Sequence, residues 1–283
     1  MNIVCLDMEG VLVPEIWIAF AEEARIPELK RTTRDEPDYD KLMNYRLDIL
    51  REHGLGLKDV QATIGKINPL PGAKEFLDEL RSITQVIILS DTFLQFAQPL
   101  MKKLGYPTLF CNELVIGENG MIDDFRMRCE KSKLTTVRGL QSIGFETIAA
   151  GDSFNDLGMI QASKAGFLFK SPESIQAEYP EIPAYEEFDE LLDAIANSAL
   201  ATHCNIAEED SGLHFLLHID TSLPDDALSA KAKECGLHLS FLSEYYEKGS
   251  PNIPAHTLII NYSGLTSEKI PQVITLLSKC ILT

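Results

Sequence analysis

The stretch NIVCLDMEGVLVPEIW, residues 2–17, decides how the rest of the chain is read. Asn2 to Leu6 is apolar on both sides of the strand period, as in a strand covered on both faces. Two carboxylates, Asp7 and Glu9, follow at once. An acid after a strand is ordinarily a turn residue or a helix cap, so this run alone does not separate chemistry from a turn. The pattern recurs, however. Gln85–Leu89 is apolar and ends at Ser90-Asp91-Thr92; Thr147–Ala150 is apolar and ends at Gly151-Asp152-Ser153, with Asp156 just behind. Helical periodicity fills the gaps: 73–81 with Phe76, Leu77 and Leu80 on one face, 93–104 stopping at Gly105, 133–143 stopping at Gly144, and 155–163. A strand over 165–169 follows, then a helix opened by Ser171 as cap with Pro172 at its first position, then a helix over 187–196. This alternation predicts an α/β fold with a doubly wound, parallel sheet, whose sites form at the carboxyl ends of the strands.

Residues 14–69 interrupt that rhythm. Ile16-Trp17, Phe20 and Ala24 recur at helical spacing, as do Leu42, Tyr45 and Ile49, with a polar loop containing Pro37 between them. They read as a helical cap inserted after the first strand, with the apolar stripes as core. Residues 107–128 read as short strands around a turn at Glu118-Asn119-Gly120. Near residue 200 the composition turns small and polar, which sets expected domains of 1–200 (core 1–13 and 70–200, cap 14–69) and 201–283. The second reads as a small α+β module: strands at 212–217, 236–239 and 257–262, helices at 225–235 and 270–281. His214 and His218 lie four apart, but in a strand-like segment, so they do not read as a helical metal pair.

The chain has 283 residues and a net charge of -18, with a pI of about 4.7. Such an acidic surface argues against nucleic-acid binding and gives weight to any cation near the acids. Six scattered cysteines without a CxxC pair suit a reducing cytoplasm. No apolar run approaches the roughly 20 residues of a membrane span, and Met1 leads straight into a strand, so no membrane segment or signal peptide is expected. Walker A, GxGxxG and HExxH motifs are absent from the sequence.

Five carboxylates along one sheet edge, Asp7, Glu9, Asp91, Asp152 and Asp156, repel one another unless a cation intervenes. An all-oxygen set suits Mg²⁺, which takes a few carboxylates plus water and phosphate. Ser90 and Thr92 offer hydroxyls to an anion, and Lys133, opening a helix between the second and third acidic sites, can bring positive charge.

DMEGVL at 7–12, SDT at 90–92, Lys133 and GDSFND at 151–156 resemble, in order and spacing, the four motifs of the haloacid-dehalogenase-like hydrolases. The runs LDMEGVLVPEIWIAFAEEA, RTTRDEPDYDKLMNYRLDIL and QPLMKKLGYPTLFCNEL are similar to the branch that contains phosphoserine phosphatases and phosphoserine:homoserine phosphotransferases. The resemblance covers about residues 1–200. It implies Asp7 as nucleophile and Glu9 as general acid and base. Ser90, Asp91, Thr92, Lys133 and Asn155 become the phosphate-binding set; Glu15 and Arg46 receive the ammonium and carboxylate of the amino acid. Mg²⁺ would be held by Asp7, the Glu9 carbonyl and Asp152, with Asp156 in support. Phosphoserine and homoserine are the implied small-molecule partners, within serine and threonine biosynthesis. Most members carry Asp where this chain has Glu9, which bears on the balance between water and an alcohol as acceptor.

Residues 201–283 resemble the small C-terminal subdomain of fold-type-I aminotransferases. They contain no Arg, which argues against pyridoxal-phosphate chemistry and for a packing module, possible in a homodimer. An amino-acid-sensing module of the ACT type has a similar element order. Two further readings remain: a phosphatase for another small ester, and an amino-acid-binding regulator on an inactive phosphatase frame. The intact set Asp7, Ser90, Lys133 and Asp152 argues against the latter.

Overall fold

A computed structural model describes residues 1–32, 35–36, 38–201, 203–208, 214–247, 253–261, 266 and 269–282. Its elements fall into two units, residues 1–78 with 85–188, and residues 79–84 with 189–283.

In the first unit the elements run β1 (Asn2–Leu6), α1 (Ile16–Ala24), α2 (Tyr39–Glu52), α3 (Leu57–Ile64), α4 (Ala73–Arg81) as far as Asp78, β2 (Gln85–Phe93), α5 (Leu94–Lys103), β3 (Thr108–Ile116), β4 (Ile122–Arg126), α6 (Ser132–Ser142), β5 (Glu146–Gly151), α7 (Leu157–Ala162), β6 (Ala165–Phe169), α8 (Glu173–Glu178) and β7 (Ala184–Tyr185). The strands form one sheet of order β4-β3-β2-β1-β5-β6-β7. Every neighbouring pair is parallel except β3–β4. The expected α/β architecture, with helices α1–α3 inserted after β1, is therefore present. β1 sits centrally, between β2 and β5, which brings the three acid-bearing strand ends side by side. All five β1 residues are buried. Ile3 and Cys5 join Ile87, Leu89 and Ala149 in one apolar cluster closed by Val137, Met159 and Ile160 from α6 and α7.

Two local expectations are corrected. β2 does not stop at Leu89; it continues through Ser90, Asp91 and Thr92 to Phe93. Ser171 caps nothing: Pro172 holds the cap position of α8, its carbonyl accepting from Ile175 N and Gln176 N, while the buried Ser171 hydroxyl has no partner.

The second unit holds α9 (Phe188–Leu200) from Asp189 onward, β8 (Cys204–Glu208), β9 (His214–Ile219), α10 (Asp225–Glu234), β10 (Thr257–Asn261) and α11 (Ile270–Leu282). The expected division near residue 200 lies about one helix too late, because α9 pairs with α11: Thr275 Oγ1 donates to Asp193 Oδ1 at 2.8 Å and Ser278 Oγ to the Ala196 carbonyl at 3.4 Å. The sheet is antiparallel, in order β10-β9-β8. β8 replaces the strand expected over 236–239. There, Leu237, Leu239 and Phe241 alternate into the apolar cluster, but the segment meets β10 only through a bridge at Phe241–Leu258. His214 and His218 stand on β9, facing Asn261 and Thr257 across the ladder. Pro37 of the expected cap loop and Gly212, Leu213 and Tyr262 of the expected strands lie outside the described residues. Among those described, no helix is long and apolar enough to cross a membrane.

Candidate active site

β1 hands Asp7 directly to the sheet edge, where its N–H still donates to the Ala150 carbonyl of β5 at 3.0 Å. The chain then turns tightly: Leu12 N and Val13 N both reach back to the Met8 carbonyl, and Gly10 N donates to the Val13 carbonyl. Gly10 has φ +79°, and a Cβ there would collide with the Asp152 carboxylate. Glycine is thus what lets the loop after β1 lie against the loop after β5. Gly151 serves similarly, since its Cβ would run into Asp156.

Lys133, in the first turn of α6, is 3% exposed. Its Nζ lies 2.8 Å from Asp7 Oδ1 and 2.6 Å from Asp156 Oδ1. Burial alone would lower the Lys133 pKa, but Asp156, Asp7 and Asp91 outweigh it and push it up, so the lysine is held charged. Asp156 is fixed on its other oxygen by the Asp152 and Ser153 N–H groups at 3.1 and 3.0 Å. Burial pushes Asp7 well above the usual carboxylate range, with Asp156 adding to it and Lys133 opposing. Burial and Asp156 push Asp152 up to about 7. Carboxylate oxygens of Asp7, Asp152 and Asp156 lie within 4.8 Å of one another. One lysine cannot neutralise three such acids, and buried ionised groups without a partner are costly. An all-oxygen set with an excess of negative charge fits a hard divalent cation.

Glu9 lies on the insert side of the turn, where its Oε2 accepts from Ile16 N at 2.8 Å. Burial raises its pKa from 4.5 to about 7, aided by Glu15, while the Ile16 N–H, Lys133 and the Thr92 hydroxyl favour ionisation. Glu9 is therefore a carboxyl that can hold or release a proton near neutrality.

At the end of β2, Ser90 and Thr92 are buried and Thr92 N donates to Ser90 Oγ at 3.2 Å. Asp91 differs from its expected place among anion-binding groups. Its carboxylate oxygens accept from Ser132 Oγ at 2.9 Å and Asn155 Nδ2 at 3.0 Å. Its carbonyl accepts from Asn112 Nδ2 at 2.9 Å and Tyr39 OH at 3.4 Å. Asn112, Ser132 and Tyr39 carry no motif in the sequence; their place at the site comes from the sheet order and the insert.

Arg46 on α2 is 6% exposed. Its guanidinium lies over the Trp17 ring at 4.6 Å and gives NH2 to the Arg31 carbonyl at 2.7 Å, while Nε is buried without a partner. Burial lowers its pKa to about 10, with Tyr39, Glu9 and Glu15 opposing. Trp17 is core, in edge contact with Phe20 and Phe96, and also the platform for this arginine. Glu15 is exposed at the start of α1. One end of the insert thus presents an arginine with an unused donor and an acid, both within electrostatic reach of Glu9.

The haloacid dehalogenase-like hydrolase family matches residues 1–164. A phosphoserine phosphatase of Pseudomonas syringae pv. tomato is 52% identical over 191 residues, 68% of this chain and 81% of its own. The phosphoserine phosphatase ThrH of Pseudomonas aeruginosa is 51% identical over 191 residues, 68% of this chain and 93% of its own. Among solved structures, a substrate-bound phosphoserine phosphatase complex superposes with TM-score 0.57 at 21% identity, covering 68% of this chain and 97% of its own. A phospho-aspartyl intermediate analogue of phosphoserine phosphatase gives TM-score 0.56 at 21% identity, over 68% of this chain and 97% of its own. At such identities these two show the fold.

Proposed function

The chain belongs to the haloacid dehalogenase-like hydrolases, and on that premise we propose that it is a phosphoserine phosphatase that forms an aspartyl-phosphate on Asp7. The observation that carries the reading is the buried Asp7–Lys133–Asp156 arrangement beside a Glu9 whose pKa sits at about 7. The relatives at 52% and 51% identity, both named phosphoserine phosphatases, supply the substrate class.

Phosphoryl transfer asks for charge neutralisation and in-line placement more than for covalent work. Asp7 is the nucleophile: its carboxylate attacks phosphorus and the bond to the serine oxygen breaks, so one hard step becomes two. Lys133 faces the developing charge on the non-bridging oxygens and also draws Asp7 toward its ionised form. Glu9 gives its proton to the leaving serine oxygen, then takes one from the incoming acceptor. Arg46, with its planar fork and free Nε, receives the substrate carboxylate, and Glu15 its ammonium. Mg²⁺, held by Asp7, Asp152, the Glu9 carbonyl and, in support, Asp156, would offset phosphoryl charge when bound. The insert α1–α3 keeps water from the reacting centre, which favours an alcohol such as homoserine as a second acceptor. The C-terminal unit enters none of these steps; we assign it a packing role.

The test is phosphate release from phosphoserine with Mg²⁺, with and without homoserine. Phosphate release, joined by phosphohomoserine when homoserine is present, is the expected result. No release from phosphoserine, with rapid release from another small ester, would move the assignment to that ester.

A further inference from the structure

We infer that Asp91 is a positioning residue that aims the side-chain amide of Asn155 at the phosphoryl group; this rests on reading the site as a phosphatase. A carboxylate at the phosphate site ought to repel its ligand. Here it does not stand free, because Asn155 and Ser132 occupy its two oxygens.

The consequence lies in Asn155, at the exposed rim of the loop after β5. A side-chain amide has one oxygen and two N–H donors. Its oxygen accepts a short hydrogen bond from Ser153 Oγ, and one N–H is given to Asp91 Oδ2. Turning the amide over would set its oxygen against the carboxylate, two acceptors facing each other. The orientation is therefore fixed from both ends, and one N–H is left for a ligand. A rim side chain without this tether would spread over several rotamers.

Asp91 is itself well anchored. Its carbonyl is held by Asn112 and Tyr39, and Asn112, fully buried, is held in turn by Arg128 N at 2.9 Å. Its other oxygen fixes Ser132, the residue beside Lys133 in the first turn of α6. One side chain at the end of β2 thus holds Asn155 and the residue next to Lys133, which stand in different parts of the chain.

The test is a double-mutant cycle of Asp91→Ala and Asn155→Ala, with kcat/KM measured on phosphoserine and on p-nitrophenyl phosphate, and inorganic phosphate affinity by calorimetry. Thermal unfolding checks that each variant is folded. Misplacing a contact group costs up to about 10²-fold, so each single change should lower kcat/KM by between about 10-fold and 10²-fold. Because Asp91 acts through Asn155, the double variant should be no worse than the poorer single one. Losses that multiply would overturn the inference. Inorganic phosphate should bind Asp91→Ala more weakly; tighter binding would mean that the carboxylate merely repels anions, and would also overturn it. Asp91→Asn, which can still accept from Asn155, should recover part of the activity, and no recovery counts against the inference. Turnover of the aryl ester without phosphoserine turnover would remove the substrate assignment and leave the cycle to be read on the aryl ester. Turnover of neither would leave the phosphate affinities to decide.

Discussion

Glu9→Gln separates proton transfer from everything else Glu9 does. Gln keeps the side-chain length and an oxygen that can accept from Ile16 N, but has no carboxyl proton to give. Burial moves the Glu9 pKa from 4.5 to about 7. At pH 7 about half of the enzyme then carries the acid, whereas at the ordinary value only about one molecule in 300 would. The buried site thus raises the acid form by about 10²-fold at neutral pH. Because kcat/KM reports the steps up to loss of serine, it should need protonated Glu9 and fall above about pH 7, tenfold per unit. The variant should lose about 10²–10⁴-fold in kcat/KM and lack that falling limb. The substrate's own second ionisation, near pH 6, shapes the acid side and is common to both enzymes. The assay is phosphate release from phosphoserine at low substrate and saturating Mg²⁺ across neutral pH. A Gln variant that keeps the limb, or a wild-type limb near pH 4–5, would refute the argument.

Arg46→Lys keeps the charge and removes the fork. Losing charge-assisted hydrogen bonds of about 1.5–3 kcal/mol should raise KM for phosphoserine by about 10-fold to 10²-fold and barely change that for p-nitrophenyl phosphate; equal losses on both would make Arg46 structural. Gly10→Ala must place a side chain at φ +79° and against Asp152, so it should lose most phosphate release while destabilising by only about 1–2 kcal/mol, read by steady-state assay and denaturant melts. The raised Asp152 carboxyl stabilises the metal-free fold fully below its unfolded value, and that contribution is lost as pH rises from about 4 through about 7. Metal binding needs the ionised forms, so the melting-temperature gain from Mg²⁺ should grow across that window in differential scanning fluorimetry. A gain that shrinks with pH would contradict the proposed ligand set.

The central sheet was legible because parallel strands buried on both faces write unbroken apolar runs, as in Asn2–Leu6 and Thr147–Ala150, and each such run ended in acids. The role of Asp91 was not, because its partners Ser132 and Asn155 stand 41 and 64 residues away and only the strand order joins them. Arg46 could be assigned to the substrate by resemblance, yet its seat on Trp17 and the Arg31 carbonyl depends on how α1 and α2 fold back. In the second unit, short elements left weaker marks. Cys204–Glu208 is a short edge strand with no continuous apolar run to announce it, and Leu237, Leu239 and Phe241 alternate like a strand while their backbone hardly joins the ladder.

The most direct measurement of the central claim is mass spectrometry of the enzyme quenched in acid during turnover of phosphoserine. The account predicts one phosphoryl adduct, on the peptide that contains Asp7, lost in Asp7→Asn together with phosphate release. An adduct on another residue, or an Asp7→Asn variant that still releases phosphate at the wild-type rate, would contradict it.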